Sequence, residues 1–540
     1  MRRPGGITHP QFWAEDSVIF YRDQLVLGSF HALLQPCAGY LCLVSRLIAL
    51  VSSSLPAALV PLAFSSAALA LASLSCSFLF LPWYRHLIES QLLRAAVCVL
   101  FAAGLFVDEL VGNVTNGQWY LALPGILLLA RSSRDDETAG LPKLFALALL
   151  AFVLGLSSPL LIMLLPVCVG MLAHRRLRRS VIIPCGLLLA LSIQAVVMLS
   201  SPRIGGSLWP IEHTLLGDLT VCTLYRSFLS TIAGQDASQF VSNNFHDAAV
   251  VIFLVAAALW TAWLWRVEKR HRLRLIIALY LAIGSIAIAL VVPGRPAGFG
   301  SISGVKIWGG AHYFYVASCI FGYLVARSLS HIIPSRVTAA AIFSLLFMYG
   351  VWADFRVPRL PDYWSHDAAA VDIWRTQLRQ GRAESIELRT NPEGWKFRLP
   401  GTVPGNAGFE GVNLSPWAVF GSATAAPSSV LSYEGKQAVE LDNSGGVYQD
   451  IIGLRAGALY KISARVRSLC ATPSLGNMWL HDTVGQSAAA DGPRPVSCDR
   501  WDEFSTNFRA SSRGMLRIHL MGLTPNGRLF WDDVRIVECH

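Results

Sequence analysis

Two adjacent carboxylates near the start of the chain are the pair best suited to chemistry. Glu15 and Asp16 follow Phe12-Trp13-Ala14 in a segment that Pro10 precedes. A positioned carboxylate can remove the proton of an attacking hydroxyl, and a second carboxylate can tune that base or hold a divalent metal. We interpret Asp16 as the candidate base and Glu15 as its support. The alternative is a pair of ordinary surface acids.

A second polar cluster lies at the end of one apolar run and the start of the next. Its members are Asp108, Glu109, Asn113, Asn116, Gln118 and Trp119. Placing an unpaired charged side chain at the edge of the hydrocarbon region costs about 2–3 kcal/mol or more of free energy. Acidic residues at that position therefore indicate a functional role. Carboxylates and amides can bind sugar hydroxyls, and an aromatic ring can cover the C–H surface of a sugar. The alternative is a polar turn beside an interfacial aromatic belt.

A third cluster precedes a late apolar run and contains Lys306, His312 and Tyr313. Lysine, or a protonated histidine, can contact the phosphate of an activated donor. The alternative is again a loop that enters an aromatic belt. All three clusters are predicted to bind substrate or catalyse its reaction on one side of a membrane.

The elements that must position these clusters are apolar. The chain has 540 residues, of which 54% are hydrophobic and only 14% charged. Such a low charge content favours a polytopic membrane protein with about ten spans, where soluble domains carry about 25% charged residues. The predicted segments are 56–82, 93–110, 119–131, 143–156, 158–173, 180–200, 248–265, 275–293, 311–327 and 336–353. Three of them, at 119–131, 143–156 and 158–173, are short for a full span.

The distribution of basic residues predicts the orientation of the spans. Alternate loops carry most of the lysines and arginines, including the run from His174 to Arg179, and this side is predicted to be cytoplasmic. The three polar clusters and the residues after 353 then lie outside. The net charge of +10 is spread over these short loops, so it does not indicate nucleic-acid binding. Residues 1–30 contain no basic start followed by an apolar core, so no signal peptide is predicted. We interpret 37–54 as an interfacial amphipathic helix.

The composition changes after Asp354. A polar helix is predicted at 362–382, and short alternating strands follow at 385–389, 395–399, 438–441, 447–452, 460–466, 478–480, 515–520 and 529–537. We therefore predict four parts: an outer N-terminal segment at 1–55, a membrane domain at 56–353, a connector at 354–400 and an all-β jelly-roll sandwich at 401–540. Cys470 and Cys498 flank a predicted outer loop and are a candidate disulfide.

The order of motifs resembles the GT-C superfamily of multi-spanning membrane glycosyltransferases, especially its bacterial members. The most specific parts are Phe12–Asp16 and Asn113–Trp119. The resemblance implies that Glu15 and Asp16 are the catalytic acids of a first outer loop. It also implies a polyprenyl-phosphate-linked sugar as donor. A divalent metal is a candidate cofactor because the carboxylate pair could hold one. The superfamily has a span before this loop, so we expect a further helix upstream of Met1 or an inactive chain.

The tail resembles a carbohydrate-binding-module jelly roll. The matching residues are Gly446–Ile451, Tyr460–Val466 and Phe530–Val534. In such modules aromatic side chains on one sheet face stack on sugars, which implies Trp417, Tyr448, Trp479 and Trp501 as candidates here. The alternative is a jelly roll that binds protein or covers the membrane domain.

The sequence thus predicts an inner-membrane, multi-pass glycosyltransferase that moves a sugar from a lipid-linked donor to a cell-envelope glycan or lipid. Its expected partners are membrane lipid, lipid-linked sugar and envelope glycan. Two rival readings are a transporter or flippase of lipid-linked sugars, and a non-catalytic envelope protein that displays a glycan-binding jelly roll. The sugar, the acceptor, the stereochemistry, the metal and the oligomeric state are left open.

Overall fold

The computed structural model describes most of the chain. The chain folds into two compact units. The described residues are 5–103, 112–131, 133–175, 179–200, 219–269, 272–291, 314–353, 360–402, 407, 409–410, 414–442, 444–469, 474–482, 487–511, 514–525 and 527–539. The helical unit comprises Met1–Phe20, Ser29–Leu55 and Leu59–Pro361. The sandwich unit comprises Tyr21–Gly28, Pro56–Ala58 and Asp362–His540.

The described residues of the helical unit are mainly helical. The longer helices are α1 (Leu43–Ser52), α2 (Val60–Ser77), α3 (Gln91–Ala103), α4 (Gly117–Leu129), α5 (Leu141–Gly155), α6 (Leu165–Arg175), α7 (Ile182–Ser200), α8 (Ser230–Val267), α9 (Arg272–Val291), α10 (Tyr315–Ile332) and α11 (Arg336–Ala353). Shorter helical pieces are Gly5–Thr8, Ser29–Leu34, Phe78–Phe80, Pro82–Tyr84, Ser133–Thr138, Pro159–Leu164 and Arg179–Val181. Two π-helical pieces are Asp16–Tyr21 and Cys222–Leu229.

Helix α4 lies at the centre of this unit. It is apolar on every side, and a helix of that kind must be surrounded by other elements to be stable in a folded chain. Leu121, Leu123 and Leu128 of α4 are buried, as are Leu161 before α6 and Tyr315 at the start of α10. These residues form one continuous apolar core.

The predicted ten spans are only partly supported. Within the described ranges, four helices are long and apolar enough to cross a membrane: Ala57–Phe80, Arg179–Ser200, Leu219–Val267 and Arg336–Ala353. A fifth span results if Leu141–Gly155 and Pro159–Ala173, bent by 118° at their junction, count as one. This bend explains why the sequence showed two short apolar runs there. The number ten stays a prediction.

A helix, α1, lies within the segment 37–54 that was predicted to be interfacial, and its placement at a membrane surface stays a prediction. Its Arg46 is buried, with Nη1 donating to the carbonyl of Ile19 at 3.4 Å and the guanidinium 5.1 Å from the ring centroid of Phe20. The charge that suggested a helix at a membrane surface therefore packs inside the helical unit.

The sandwich unit begins with the predicted polar helix, α12 (Trp364–Arg379), and a hairpin of β1 (Ile386–Thr390) and β2 (Trp395–Leu399). The short helix Arg22–Leu27 also belongs to it. The remaining strands are β3 (Ala418–Gly421), β4 (Thr424–Ser428), β5 (Ala438–Asp442), β6 (Gly445–Ile451), β7 (Leu459–Ser468), β8 (Ser474–His481), β9 (Ser487–Val496), β10 (Asp502–Arg509), β11 (Leu516–Gly522) and β12 (Arg528–Cys539).

These ten strands form two antiparallel five-stranded sheets, in the orders β10-β7-β12-β5-β4 and β3-β6-β11-β8-β9. Alternate side chains of each strand enter the core, as the period of two in a strand requires. Val447, Leu480, Ile518 and Trp531 are among the buried residues. The all-β prediction for the C-terminal part is therefore confirmed at the level of a β-sandwich.

Candidate functional site

The carboxylate pair lies in a tight turn of the helical unit. Ala14 has a φ of +33°, and the amide of Asp16 donates to the carbonyl of Trp13 at 2.8 Å. The chain then enters the π-helical piece that starts at Asp16. Because this left-handed conformation is uncommon for a residue with a Cβ, the turn is held by its surroundings. It turns the Asp16 side chain towards a distant part of the sequence.

That distant part is the pair Val114 and Thr115, which lies between Asn113 and Asn116 of the second polar cluster. Oδ2 of Asp16 accepts a hydrogen bond from the amide of Val114 at 3.1 Å. Oδ1 accepts from the amide of Thr115 at 2.8 Å and from its hydroxyl at 2.7 Å. We call Glu15, Asp16, Val114 and Thr115 the acidic turn. The carboxylate pair therefore contacts the segment that contains the second cluster, although 98 residues separate Asp16 from Val114.

Burial controls the chemistry of Asp16. Its side chain is 2% exposed. The three hydrogen bonds favour the charged carboxylate, whereas removal from water favours the neutral acid. Burial is the larger effect, and it raises the pKa of Asp16 to about 7. Glu15 is only half-buried, so it is the more accessible of the two acids.

Side chains from neighbouring helices hold the backbone of the acidic turn. Ser45 of α1 donates to the carbonyl of Val114 at 3.2 Å, and Ser65 of α2 donates to that of Gly112 at 3.3 Å. Asn113 accepts from the amide of Asn116 through Oδ1 at 2.9 Å. The donors that bind Asp16 are thus fixed before any ligand arrives.

The structure corrects part of the second cluster. Trp119 is 4% exposed and packs in the helical core, so its ring offers no free face to a sugar, and we withdraw it as a stacking residue. Gln118 is also buried and donates from Nε2 to the hydroxyl of Tyr40 at 3.1 Å. Asn113 and Asn116 are buried and shape the turn. These four residues support the site rather than line it.

Several predicted site residues lie outside the described ranges. They are Asp108, Glu109, Lys306, His312, Tyr313 and Cys470. Cys498 is disulfide-bonded, but its proposed pairing with Cys470 stays a prediction because Cys470 is one of these residues. No group of three or more metal-ligating side chains occurs among the residues that the structure describes. The acidic turn therefore offers only its two carboxylates to a metal within those residues.

The second candidate site is a strip of rings on the sandwich. Strand β11 pairs with β6 on one side and β8 on the other, which sets His519 between Tyr448 and Trp479. Their ring centroids are 5.6 and 5.3 Å from that of His519. His481 stacks on His519 at 4.8 Å, and Phe420 of β3 meets it edge-on at 5.1 Å. We call these five residues the aromatic face.

The aromatic face lies on the outer side of its sheet. Met478, Leu480, Ile518 and Leu520 enter the core, so their neighbours in each strand point to the opposite side. Tyr448, Trp479, His481 and Phe420 are all partly exposed. A row of partly exposed rings at this spacing provides flat apolar surfaces next to polar ring atoms.

The groups beside the aromatic face balance their own charges. Arg517 donates to both oxygens of Asp450, at 2.5 and 2.8 Å, and its guanidinium is 4.4 Å from the ring centroid of Tyr448. His519 is 8% exposed. Its burial, with His481 and Arg517 nearby, lowers the pKa of His519 to about 4. At neutral pH the aromatic face therefore carries no charged imidazole at His519.

Two of the four aromatic candidates from the sequence belong to this face and two do not. Tyr448 and Trp479 lie on it. Trp417 is 3% exposed and packs against Phe409 in the sandwich core at 5.3 Å, so we withdraw it as a sugar-binding residue. Trp501 packs edge-on against Tyr433 at 5.8 Å, away from the five rings. Sequence reasoning missed Phe420, His481 and His519.

Comparison with known structures gives matches for the C-terminal sandwich. No family model and no curated protein matches the chain. The C-terminal β-sandwich resembles carbohydrate-binding modules of solved structure, and the likeness is one of fold. The CBM22-1 xylan-binding domain of Paenibacillus barcinonensis Xyn10C is 14% identical, with 24% of this chain and 91% of that chain covered and a TM-score of 0.22.

Two further carbohydrate-binding modules of solved structure show a similar degree of likeness. TmCBM61, solved with β-1,4-galactotriose, is 19% identical over 25% of this chain and 96% of that chain, with a TM-score of 0.22. The C-terminal family 22 carbohydrate-binding module of Clostridium thermocellum Xyn10B is 15% identical over 25% of this chain and 95% of that chain, with a TM-score of 0.21.

Proposed function

We propose that the protein is a membrane glycosyltransferase whose chemistry takes place at the acidic turn. It moves a sugar from a polyprenyl-phosphate-linked donor to a cell-envelope glycan or lipid on the extracytoplasmic face. The observation that carries this proposal is the contact of Asp16 with Val114 and Thr115, which fixes an acidic motif beside a second polar segment. The basic residues of alternate loops support the outer placement.

The geometry favours roles for Glu15 and Asp16 that are the reverse of those predicted from the sequence. A general base must reach the hydroxyl whose proton it removes. Both oxygens of Asp16 already accept hydrogen bonds from the chain, and the carboxyl group is buried. Glu15 is half-buried, so we assign the base to Glu15 and the positioning of the turn to Asp16.

The proposed reaction exchanges one bond at the anomeric carbon of the donor sugar. Glu15 takes the proton of the acceptor hydroxyl, whose oxygen forms the new bond to that carbon. The bond from the carbon to the phosphate oxygen breaks, and polyprenyl phosphate leaves with the electron pair. Asp16 keeps Glu15 in place through the turn that both residues share.

Transfer is tested with the full chain in lipid nanodiscs, radiolabelled polyprenyl-phosphate hexoses and envelope lipid and glycan extracts as acceptors. We expect labelled product that carries a new glycosidic bond. A chain that moves labelled lipid across vesicles without forming product would support the transporter reading. Absence of both activities, with glycan binding retained, would support the non-catalytic reading.

We further propose that the aromatic face binds glycan. The observation that favours this second function is the row of Phe420, Tyr448, Trp479 and His481 around His519. Hydroxyl groups can bond to the phenol, indole and imidazole atoms, and the C–H surfaces of sugars can lie on the rings. Isothermal titration with soluble envelope glycans should show binding that Trp479→Ala weakens.

A further inference from the structure

An apolar slot lies between α4, α6, α9 and α10 of the helical unit. Its volume is about 360 Å³, within the range of pockets that bind small molecules. Leu123 and Leu127 of α4, Met171 of α6, and Ile277 and Leu281 of α9 form part of its wall. Neither Glu15 nor Asp16 is among the residues that line it. The slot is therefore separate from the acidic turn.

One end of the slot is basic. Arg131 follows the last turn of α4, Arg274 lies in the first turn of α9, and both line the slot. Arg131 bonds to Asp136 through Nε at 3.1 Å, and its guanidinium lies 4.2 Å from the ring centroid of Trp83. Its Nη1 is buried and has no hydrogen-bond partner among the described residues.

Arg274 supplies the second positive charge. Its Nη1 donates to the carbonyl of His86 at 3.4 Å, and it forms no ion pair with a carboxylate of the described residues. Asp136 is the ion-pair partner of Arg131. Glu268, which lines a neighbouring cavity together with Arg274, is bonded to Arg327 and His331. An anion placed between Arg131 and Arg274 would offset the remaining charge and accept hydrogen bonds from both.

The shape of the slot indicates what that anion is attached to. From Arg274 to Leu281, α9 rises by about 10 Å, and most of the side chains that line the slot are apolar, with Tyr323 of α10 among the exceptions. A polar ligand would lose its hydrogen bonds to water there without replacement. A lipid instead places its chain against the apolar wall and its headgroup at the charged end. Both arginines also belong to the basic loops, the side to which anionic headgroups are attracted.

We propose that this slot binds the chain of a phosphate-bearing lipid and that Arg131 and Arg274 bind its phosphate. The site lies apart from the acidic turn and does not depend on the transfer reaction. A bilayer phospholipid and a polyprenyl monophosphate share this chemistry, so the test must separate them.

Binding is measured on the delipidated full chain in detergent by native mass spectrometry. The probes are phosphatidylglycerol, a polyprenyl monophosphate and the corresponding polyprenol. We expect at least one of the two phosphate lipids to bind at least tenfold more tightly than the polyprenol. The phosphate lipid that binds more tightly identifies the class of lipid that occupies the slot. Equal binding of all three would overturn the proposal. No assay of sugar transfer enters the measurement, so this result stands apart from the proposed function.

Two pairs of variants locate the site. Arg274→Gln should weaken binding of the preferred phosphate lipid about tenfold, because a hydrogen bond to a charged group is lost. Arg272→Gln is its control, since Arg272 lies over the ring of Trp265 at 4.7 Å and does not line the slot.

Ile277→Trp should exclude the lipid chain by filling the slot, whereas Ile276→Trp, at an exposed neighbour outside the slot, should not. Equal affinities within each pair would contradict the proposal. Matching thermal transitions within each pair would show that the variants are folded.

Discussion

The acidic turn and the aromatic face place their polar groups in opposite environments. Asp16 is buried and accepts three hydrogen bonds from its own chain, so its geometry is fixed from inside. Tyr448 and Trp479 are partly exposed and present their rings outwards. The first arrangement suits a group that must hold another group in place. The second suits a surface that a ligand covers.

The two regions also differ in the direction in which burial shifts the pKa of a buried group. Burial raises the pKa of Asp16 to about 7, and it lowers the pKa of His519 to about 4. In both cases the neutral form is favoured, as expected when a charge leaves water. The comparison indicates that variants of the acidic turn should alter turnover or stability, whereas variants of the aromatic face should alter glycan affinity alone.

The largest expected effect separates the regions by turnover. Glu15→Gln should lower kcat for sugar transfer by about 100-fold or more, the usual range for loss of a general base. Glycan affinity at the sandwich should not change. Glu89→Gln is the matched control, since the Glu89 side chain is 79% exposed. Equal kcat in the two variants would remove Glu15 from the chemistry.

The next effect is on binding. Trp479→Ala should weaken glycan binding about tenfold or more, because a large ring at the centre of a binding surface contributes about 2 kcal/mol. Trp501→Ala removes the same side chain from outside the aromatic face and should have little effect. Isothermal titration measures both. Similar losses in both variants would mean that the five rings do not form the binding surface.

A smaller effect distinguishes the two acids. Asp16→Asn should lower the free energy of unfolding of the helical unit by about 1–3 kcal/mol, because one amide that now bonds to the carboxylate would face an NH₂ group. Glu15→Gln should leave it nearly unchanged. Thermal unfolding in detergent compares the variants. A stable Asp16→Asn protein would argue against the positioning role.

The last expected effect is a pH dependence at the acidic turn. Because the pKa of Asp16 is raised from its ordinary value of 3.8 to about 7, its contribution to stability is complete below about pH 4 and is lost as pH rises to about 7. The free energy of unfolding of the helical unit, measured at pH values from about 4 to 7, should therefore fall across this window. Asp16→Asn should abolish the fall, and an unchanged slope would contradict the assigned pKa.

The sequence predicted the elements better than their contacts. Alternation predicted a strand at 515–520, and the period of two puts Ile518 and Leu520 on one side of it and His519 on the other, although His519 was not among the predicted site residues. The pairing that sets His519 between Tyr448 and Trp479 depends on strand order, which alternation does not reveal. Strand β9 was missed because Gly492, Pro493 and Pro495 interrupt its pattern.

The acidic turn shows the same limit. Charge and polarity singled out Glu15, Asp16 and the segment after Asn113, and predicted one side of the membrane for all of them. Which outer segments touch depends on how helices such as α1 and α2 pack. Trp119 was misjudged because a tryptophan at a helix start can face either lipid or core, and only the packing of α4 decides.

The most direct test is a kinetic comparison of Glu15→Gln and Trp479→Ala in one transfer assay with varied glycan acceptor. The account predicts that Glu15→Gln lowers kcat and leaves KM for the acceptor within twofold. It predicts that Trp479→Ala raises that KM about tenfold and leaves kcat within twofold. If both variants changed the same constant, or neither changed any, the division between an acidic turn for chemistry and an aromatic face for binding would be wrong.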